Sequence, residues 1–397
     1  MRLRVALRRL RHAAGLSDDE EKALLAQCKT VEALALTTDF ARLAKSVGGK
    51  VEACTLQHLA AELVGSIAPR YTVASEIFKT DGVLETGLAE LDWLLGGGFA
   101  TGEVTELLGS PATGKSQVCL LACAARVALP HGGGVLYFDT GCNYRAERVY
   151  KLAQLLATRS ERVDCRSRLD ERMRAVPTTT LSEMVQGLDM LDYQLQQAHA
   201  DATDAADAAE ATGATDDCAH AAVDDGLASS GSRHGAASAF GSSSWLRSLR
   251  LVVVDSAFGA LAAEQGGEGR STTHGSQQAR LQALLRSVAI RHRIAVVVTN
   301  GVATASSTAA DVAASEPRPL FGHAWSHVAH TRLLLRTTPL SEPNARLAAS
   351  DGEDWTGATT VVQLVKCQWS LRNVVRSAEG AVRVHFSANG RITAERV

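Results

Sequence analysis

Two rhythms of apolar residues divide the chain. From about residue 16 to residue 68 apolar positions recur at helical spacing in short runs: "DDEEKALLAQC", "TVEALAL", "DFARLAKSVGG" and "ACTLQHLAAELVGSI". Ser17, ahead of the acids of "DDEE", has the make-up of a helix N-cap, and the acids fall on the first turn, where the amide dipoles favour them. Gly48-Gly49 breaks the third run. The pattern predicts a small all-helical domain over residues 1–68, with Pro69 opening a linker over 69–82.

Beyond residue 83 the rhythm changes. "EVTELLG", "GVLYFD", "LRLVVVDS" and "IAVVVTN" are apolar almost throughout, and they alternate with the helically spaced "KSQVCLLACAARVAL", "TLSEMVQGLDMLDYQLQQA" and "QARLQALLRSVAIRH". Strands with no polar face must be covered on both sides, so this alternation predicts an α/β core over residues 83–397 with a mainly parallel sheet. "TRLLLRT", "ATTVVQLVKC" and "VRVHFS" add strands to one edge. Residues 201–244 interrupt the pattern with Ala, Asp, Gly and Ser and almost no large apolar side chain. Such a segment cannot bury enough surface to order itself and predicts a disordered insertion, although its Ala-rich half also suits a conditional helix.

Composition narrows the chemistry. A chain of 397 residues with 46 % hydrophobic residues has room for two domains and a sizeable core. Its net charge of −2 means that any contact with nucleic acid must use local patches. The eight cysteines are scattered without a C-x-x-C pair, which supports neither a zinc site nor a disulfide framework and suits a reducing compartment. No apolar run reaches the 18 residues that a membrane span needs. The Arg-rich start "MRLRVALRRLRHAAG" reads either as the first turns of a solvated helix or as a mitochondrial presequence.

One segment carries explicit chemistry. Gly109, Ser110, Pro111, Ala112, Thr113, Gly114, Lys115 and Ser116, followed by Gln117, fit G-x-x-x-x-G-K-[ST] between a strand and a helix. Glycines there let backbone N–H groups curl around phosphate oxygens, Lys115 reaches the terminal phosphates, and the Ser116 hydroxyl ligates Mg²⁺. The cofactors expected are therefore ATP and Mg²⁺. "LRLVVVDS" ends in Asp255, placed for a second, water-mediated carboxylate contact to that metal. Cys119 and Cys123, four apart on the next helix, suit core packing.

Taken together, "ETGLAELDWLLGGGFATGEVTELLGSPATGKSQVC", "VLYFDT…YRAERV", "LVVVDS", "AVVVTN" and "PLFGHAWSHVAHTRLLLR" resemble the ATPase core of the RecA/RadA recombinases in their eukaryotic form. The helical domain with "TVEAL" resembles that family's N-terminal domain, and "GEVTELLG" with "KSQVCL" is most similar to its D-type paralogue. The resemblance implies a RecA-like core and covers nearly the whole chain except 201–244. It also implies what is missing. The family places a water-polarising Glu directly after Asp139-Thr140, where this chain has Gly141, and a γ-phosphate-sensing Gln after "TN", where it has Gly301. No catalytic residue is therefore assigned. His327 matches the family's phosphate-facing histidine.

The resemblance further implies that the loops after "VVVDS" and "VVVTN" face DNA, with Arg270 and Arg280 in the first and Arg318 in the second. Loops so poor in cations predict weak binding of single-stranded DNA by the chain alone. Arg372, Arg376 and Arg383 offer a further basic patch or an ordinary solvated strand face. Tyr71-Thr72-Val73-Ala74 stands where the family carries a Phe-x-x-Ala tether that adds a strand to the next protomer. The expectation is an ATP-holding, weakly hydrolysing subunit, joined to sibling paralogues and assisting the strand-exchange recombinase filament in homologous recombination repair; the alternatives are a DNA-stimulated ATPase with its own strand-exchange activity and a P-loop scaffold without a DNA role. The location implied is the nucleus.

Overall fold

The computed structural model describes residues 17–28, 30–48, 51–67, 82–142, 144–211, 240–264, 272–303, 318–321, 323–337, 358–367, 381–387 and 391–397. The chain divides into two compact units at Phe78/Lys79.

In the first unit α1 (Asp18–Gln27), α2 (Val31–Ala35), α3 (Phe40–Val47) and α4 (Ala53–Ile67) follow one another. Ser17 caps α1 in a full capping box: its hydroxyl accepts from the Glu20 amide, and the Glu20 carboxylate accepts from the Ser17 amide at 2.9 Å. Asp39 caps α3, accepting from the Arg42 amide at 2.9 Å. The helices close over Leu24, Leu34, Leu56, Leu59 and Leu63.

The second unit begins with β1 (Val83–Leu84), α5 (Ala89–Leu95) and β2 (Phe99–Ala100). The central pieces are β3 (Val104–Gly109), α6 (Lys115–Ala128), β4 (Gly134–Asp139), α7 (Ala146–Leu156), α8 (Cys165–Arg172) and β5 (Met173–Pro177). Next come α9 (Leu181–Ala211), α10 (Ser243–Ser248), β6 (Leu249–Asp255), α11 (Ala257–Glu264), α12 (Thr272–His292) and β7 (Ala295–Asn300). A short pair, β8 (Val302–Ala303) and β9 (Arg318–Pro319), and a 3-10 turn over His323–His327 lead to β10 (Thr331–Thr337), β11 (Ala358–Cys367), β12 (Ala381–Phe386) and β13 (Ile392–Arg396). Nine strands form one sheet in the order β13-β12-β11-β10-β3-β7-β6-β4-β5. The strands from β10 to β5 run parallel, and β11, β12 and β13 attach as an antiparallel edge.

Every residue of β3, β4 and β7 is buried, as their unbroken apolar runs require. On one face Val118, Leu121, Val149 and Leu152 pack with Tyr137 and Val253. On the other Met184, Leu188, Leu285 and Val288 pack with Phe138 and Val254. Hydrophobic cover on both faces fixes the order of the strands, and the order fixes which loops meet at their carboxyl ends.

Three expectations need correction. Helix α9 continues to Ala211, so the start of the stretch 201–244 follows the conditional-helix alternative rather than disorder, and at the other end of the stretch Phe240 is buried while Ser242 caps α10. Residues 212–239 lie outside the described residues. The segment after Asp255 was expected as a loop; it forms α11, and Arg280 lies well inside α12. Finally, "MRAVP" and "ITAER" form the two edge strands, β5 and β13, which apolar runs did not announce. Among the described residues no helix is long and apolar enough to cross a membrane.

Candidate nucleotide-binding site

The loop from Ser110 to Gly114 leaves the carboxyl end of β3 and enters α6 at Lys115. At Gly109 a Cβ would lie 2.6 Å from the Leu335 carbonyl oxygen and 2.8 Å from Thr113 Oγ1, so the strand can pass only without a side chain. Ala112 and Gly114 have φ of 63° and 85°. Left-handed residues in such close succession turn neighbouring N–H groups toward one side, which makes an anion-binding concavity at the start of a helix. Phe386, at the end of β12, lies against the loop: a Cβ on Gly114 would fall 2.4 Å from its Cζ. The half-buried ring packs against the core that includes the apolar side of α6.

Lys115 folds back over the loop and donates to the Gly109 and Ser110 carbonyls, each at 2.7 Å. Partial burial lowers its pKa, and the nearby Asp255 opposes that effect. A cation held among carbonyls in a half-buried place gains from an incoming anion. Ser116 is exposed one residue on.

Asp255 stands beside Asp139, its partner in the parallel register of β4 and β6. Both of its oxygens are held. The Tyr137 hydroxyl donates to Oδ2 at 2.7 Å, and the Thr299 hydroxyl donates to Oδ1 at 2.6 Å. Burial and the surrounding anionic groups keep the Tyr137 hydroxyl protonated. Each carboxylate oxygen retains a lone pair beyond these bonds, so Asp255 can still accept from metal-bound water. Among the described residues no three His, Cys, Asp or Glu side chains cluster to hold a metal by themselves. Ser116 and Asp255 are the residues that could contribute to the shell of a divalent ion carried in on a triphosphate.

Two positions carry glycine where the family resemblance implies a functional side chain. Gly141 follows Thr140 at the end of β4, exposed, and is not among the glycines of positive φ. Its neighbour Cys142 is the residue in the left-handed region, with φ of 52°. Gly301 follows Asn300, whose amide nitrogen donates to the buried Glu106 at 2.8 Å. Trp325 and Arg332 donate to the same carboxylate, at 2.7 and 2.5 Å. A Cβ on Gly301 would lie 2.3 Å from Leu320 Cδ1, so that leucine fills the path of a side chain from 301.

Other expected residues are placed as follows. His327 ends the 3-10 turn, exposed, and its backbone carbonyl accepts from Arg286 at 3.0 Å. The buried histidine of this segment is His330, whose Nδ1 accepts from the Val104 amide at 2.9 Å. Arg280 is held by Asp189, with Nε to Oδ2 at 3.1 Å, and Arg383 donates to Glu395 at 2.6 Å. The backbone of Arg318 belongs to β9. Tyr71, Ala74, Arg270, Arg372 and Arg376 lie outside the described residues. Cys119 and Cys123 are fully buried, with burial pushing both thiols up, as core residues should be.

Sequence reasoning missed Arg148. From α7 it reaches Gln117 on the first turn of α6, with Nε and Nη2 donating to Oε1 at 3.1 and 2.9 Å. It also missed Tyr137, Thr299 and Phe386, which look like ordinary strand residues until the strands are side by side.

Compared with known protein families, the chain matches Rad51 over residues 80–172 and 237–351. It belongs to the Rad51 family. The unmatched gap between the two stretches falls on β5, the whole of α9 and residues 212–236. Among curated proteins the chain is 31 % identical over 267 residues to DNA repair protein RAD51 homolog 4 of Mus musculus, covering 66 % of this chain and 63 % of that protein. Its Bos taurus counterpart is 29 % identical over 266 residues, covering 67 % and 65 %. The DNA repair protein Rad51 homolog of Drosophila melanogaster is 27 % identical over 295 residues, covering 73 % and 70 %. The chain thus spans somewhat less than two thirds of the two RAD51 homolog 4 proteins.

Proposed function

We propose that this Rad51-family protein is an ATP-binding, slowly hydrolysing subunit of a recombinase-paralogue complex. It assists assembly of the strand-exchange filament on single-stranded DNA during homologous recombination repair, in the nucleus. Its similarity to proteins named for DNA repair supports the process. One observation supports the biochemical half: the loop before α6, with left-handed Ala112 and Gly114 and Lys115 folded across it, occurs in a chain that also has Gly141 and a Gly301 whose side-chain space is already filled by Leu320.

In this reading the loop amides and the amino end of α6 hold the phosphates, and Lys115 moves from the Gly109 and Ser110 carbonyls onto them. Ser116 and Asp255 would hold Mg²⁺, which when bound would neutralise phosphate charge. Tyr137 and Thr299 keep Asp255 turned toward it. No side chain on Gly141 takes a proton from water, and losing a general base slows hydrolysis by about 10²–10⁴-fold. Nucleotide then serves as a ligand that stabilises a protomer contact, with Tyr71 and Ala74 as the tether to a sibling subunit.

The test is a comparison of ATP affinity with ATP turnover in the purified protein, with and without single-stranded DNA. Tight binding with slow turnover that DNA barely changes is the expected result. Fast, strongly DNA-stimulated turnover would overturn the reading and point to a self-sufficient recombinase.

A further inference from the structure

The carboxyl ends of the parallel strands hold the nucleotide site. Their amino ends carry a second chemical feature. In the order β7-β6-β4-β5 the residues that begin the strands, or just precede them, are Arg293, then Arg247 and Arg250, then His131, then Arg172 and Arg174. The registers set these at one level: Leu251 pairs with Ala295, Gly134 with Leu249, and Val135 with Met173. Three of these four neighbouring strands therefore contribute arginines, with the exposed His131 between them, along a line about 15 Å long, since strands lie ~4.8 Å apart.

Hydrogen bonds locate the line. Arg172 Nη1 donates to the Arg126 and Leu129 carbonyls at 2.9 and 2.6 Å, and Arg168 donates to Ala128 at 2.9 Å, both at the carboxyl end of α6. Arg250 donates to the Arg247 and Leu249 carbonyls, both at 3.1 Å, and its Cγ packs on Gly133. Arg247 and Arg250 are exposed. The cations sense one another: His199 is held below its usual pKa by burial and then by His292, Arg247 and Arg250.

Among the described residues the acids at this end are few and mostly spent. Asp192 is bound by both Arg291 and His292, at 3.1 and 2.8 Å, and Asp164 pairs with Arg168 at 3.1 Å. Asp170 lies 3.6 Å from Arg166. Glu171 is exposed beside Arg172, and Asp201 follows on α9. The carbonyls at the end of α6 explain Arg168 and Arg172 as helix caps. They do not explain Arg247 and Arg250, for which no carboxylate partner is found among the described residues.

We infer that this amino-terminal edge of the sheet, centred on Arg247, Arg250 and Arg172, is a docking surface for the phosphate backbone of duplex DNA. Guanidinium groups whose hydrogen bonds go to backbone carbonyls keep their full charge, and a straight line of them suits a run of phosphates. The aromatic side chain within the line, Trp245, is buried, with Nε1 donating to the Arg172 carbonyl and Arg174 lying over its ring. It offers no stacking platform, which disfavours unpaired bases as the ligand and predicts contact without sequence preference. This surface is at the opposite end of the strands from the nucleotide loop, so it does not depend on how ATP is used.

The test uses the full chain and a fluorescent 30-base-pair duplex, a matching single strand and a range of salt. Arg247→Gln with Arg250→Gln removes two charges while keeping donors for the carbonyls. Duplex affinity at low salt should fall about tenfold or more, and the slope of log K against log salt should become shallower by about 2. ATP affinity and the melting temperature should stay at wild-type values. If the double variant melts early, Arg247→Glu alone, on the exposed side of α10, replaces it and should still weaken duplex binding. Unchanged duplex affinity and slope in a folded variant would overturn the inference. So would a loss confined to the single strand.

Discussion

Leu320 Cδ1 sits 2.3 Å from where the first side-chain carbon of residue 301 would be. The Leu320 amide also donates to the Gly301 carbonyl at 3.1 Å, so the two are joined through backbone and side chain. Gly301→Gln should therefore fail to restore coupling to DNA and should destabilise the protein by about 1–3 kcal/mol, the usual cost of forcing atoms into a filled space. Gly301→Gln with Leu320→Ala should recover much of that loss. Thermal melting of the three proteins checks both statements.

Lys115→Ala removes the one cation that lies across the loop. The variant should keep its fold, because Lys115 bonds only to carbonyls of its own loop. Its ATP affinity should drop by at least about tenfold, in line with a charged hydrogen bond of roughly 1.5–3 kcal/mol. Titration with a fluorescent ATP analogue measures it, and unaltered affinity would refute the phosphate-loop assignment.

Gly141→Glu is open to test because Gly141 has no positive φ that a glutamate would have to adopt. The variant should melt near wild type and turn over ATP faster, by less than the ~10²–10⁴-fold worth of a fully placed base. DNA stimulation should remain small, since Gly301 is unchanged. The strained neighbour offers a separate measurement: Cys142→Gly should raise stability by about 1–2 kcal/mol, because glycine holds the left-handed conformation without the steric cost.

His330 gives the fold a pH dependence. Burial, with Arg286 and Lys366 nearby, holds its imidazole down to about 4 from the ordinary 6.5. The unfolded chain binds the proton more readily, so the stability tied to neutral His330 is fully present above about pH 6.5 and is lost as pH falls toward 4. His330→Asn, which keeps an acceptor for the Val104 amide, should shrink the drop in melting temperature between about pH 7.5 and pH 5. An equal drop in both proteins would remove His330 from the account.

Deleting residues 212–239 should leave melting temperature and ATP affinity close to wild type. Deleting 201–244 should not, because it removes the buried Phe240 and the Ser242 cap of α10. Losing a buried aromatic alone typically costs 3–5 kcal/mol. Comparing the two deletions separates the composition of the segment from the structure at its ends.

What the sequence disclosed, it disclosed through burial. β3, β4, β6 and β7 are covered on both faces, so their apolar runs stood out and the phosphate loop between β3 and α6 could be placed at once. β5 and β13 are edges with a polar side and lacked that signature, which is why they were missed. Family resemblance implies a loop after Asp255, whereas the alanines and Leu261 of "AFGALAAE" favour α11. The candidate site was legible where its chemistry is local, as in Lys115 with its glycines, and silent where it is assembled across strands. Nothing along the chain tells that Tyr137 will reach Asp255, or Arg148 will reach Gln117; those pairs exist only because the sheet order places them together.

Phe386 against Gly114 has a consequence for how the protein is made. The phosphate loop emerges during synthesis long before the strand that supports it from below. Until β12 has been translated and added to the sheet, the start of α6 lacks its contact with Phe386. On the ATP-holding reading proposed above, a nascent chain would gain no help from ATP while its first strands assemble, because the contact between two such distant segments must wait for nearly the whole core. Stalled or truncated chains that stop before Phe386 would carry an intact phosphate-loop sequence and yet bind nucleotide poorly.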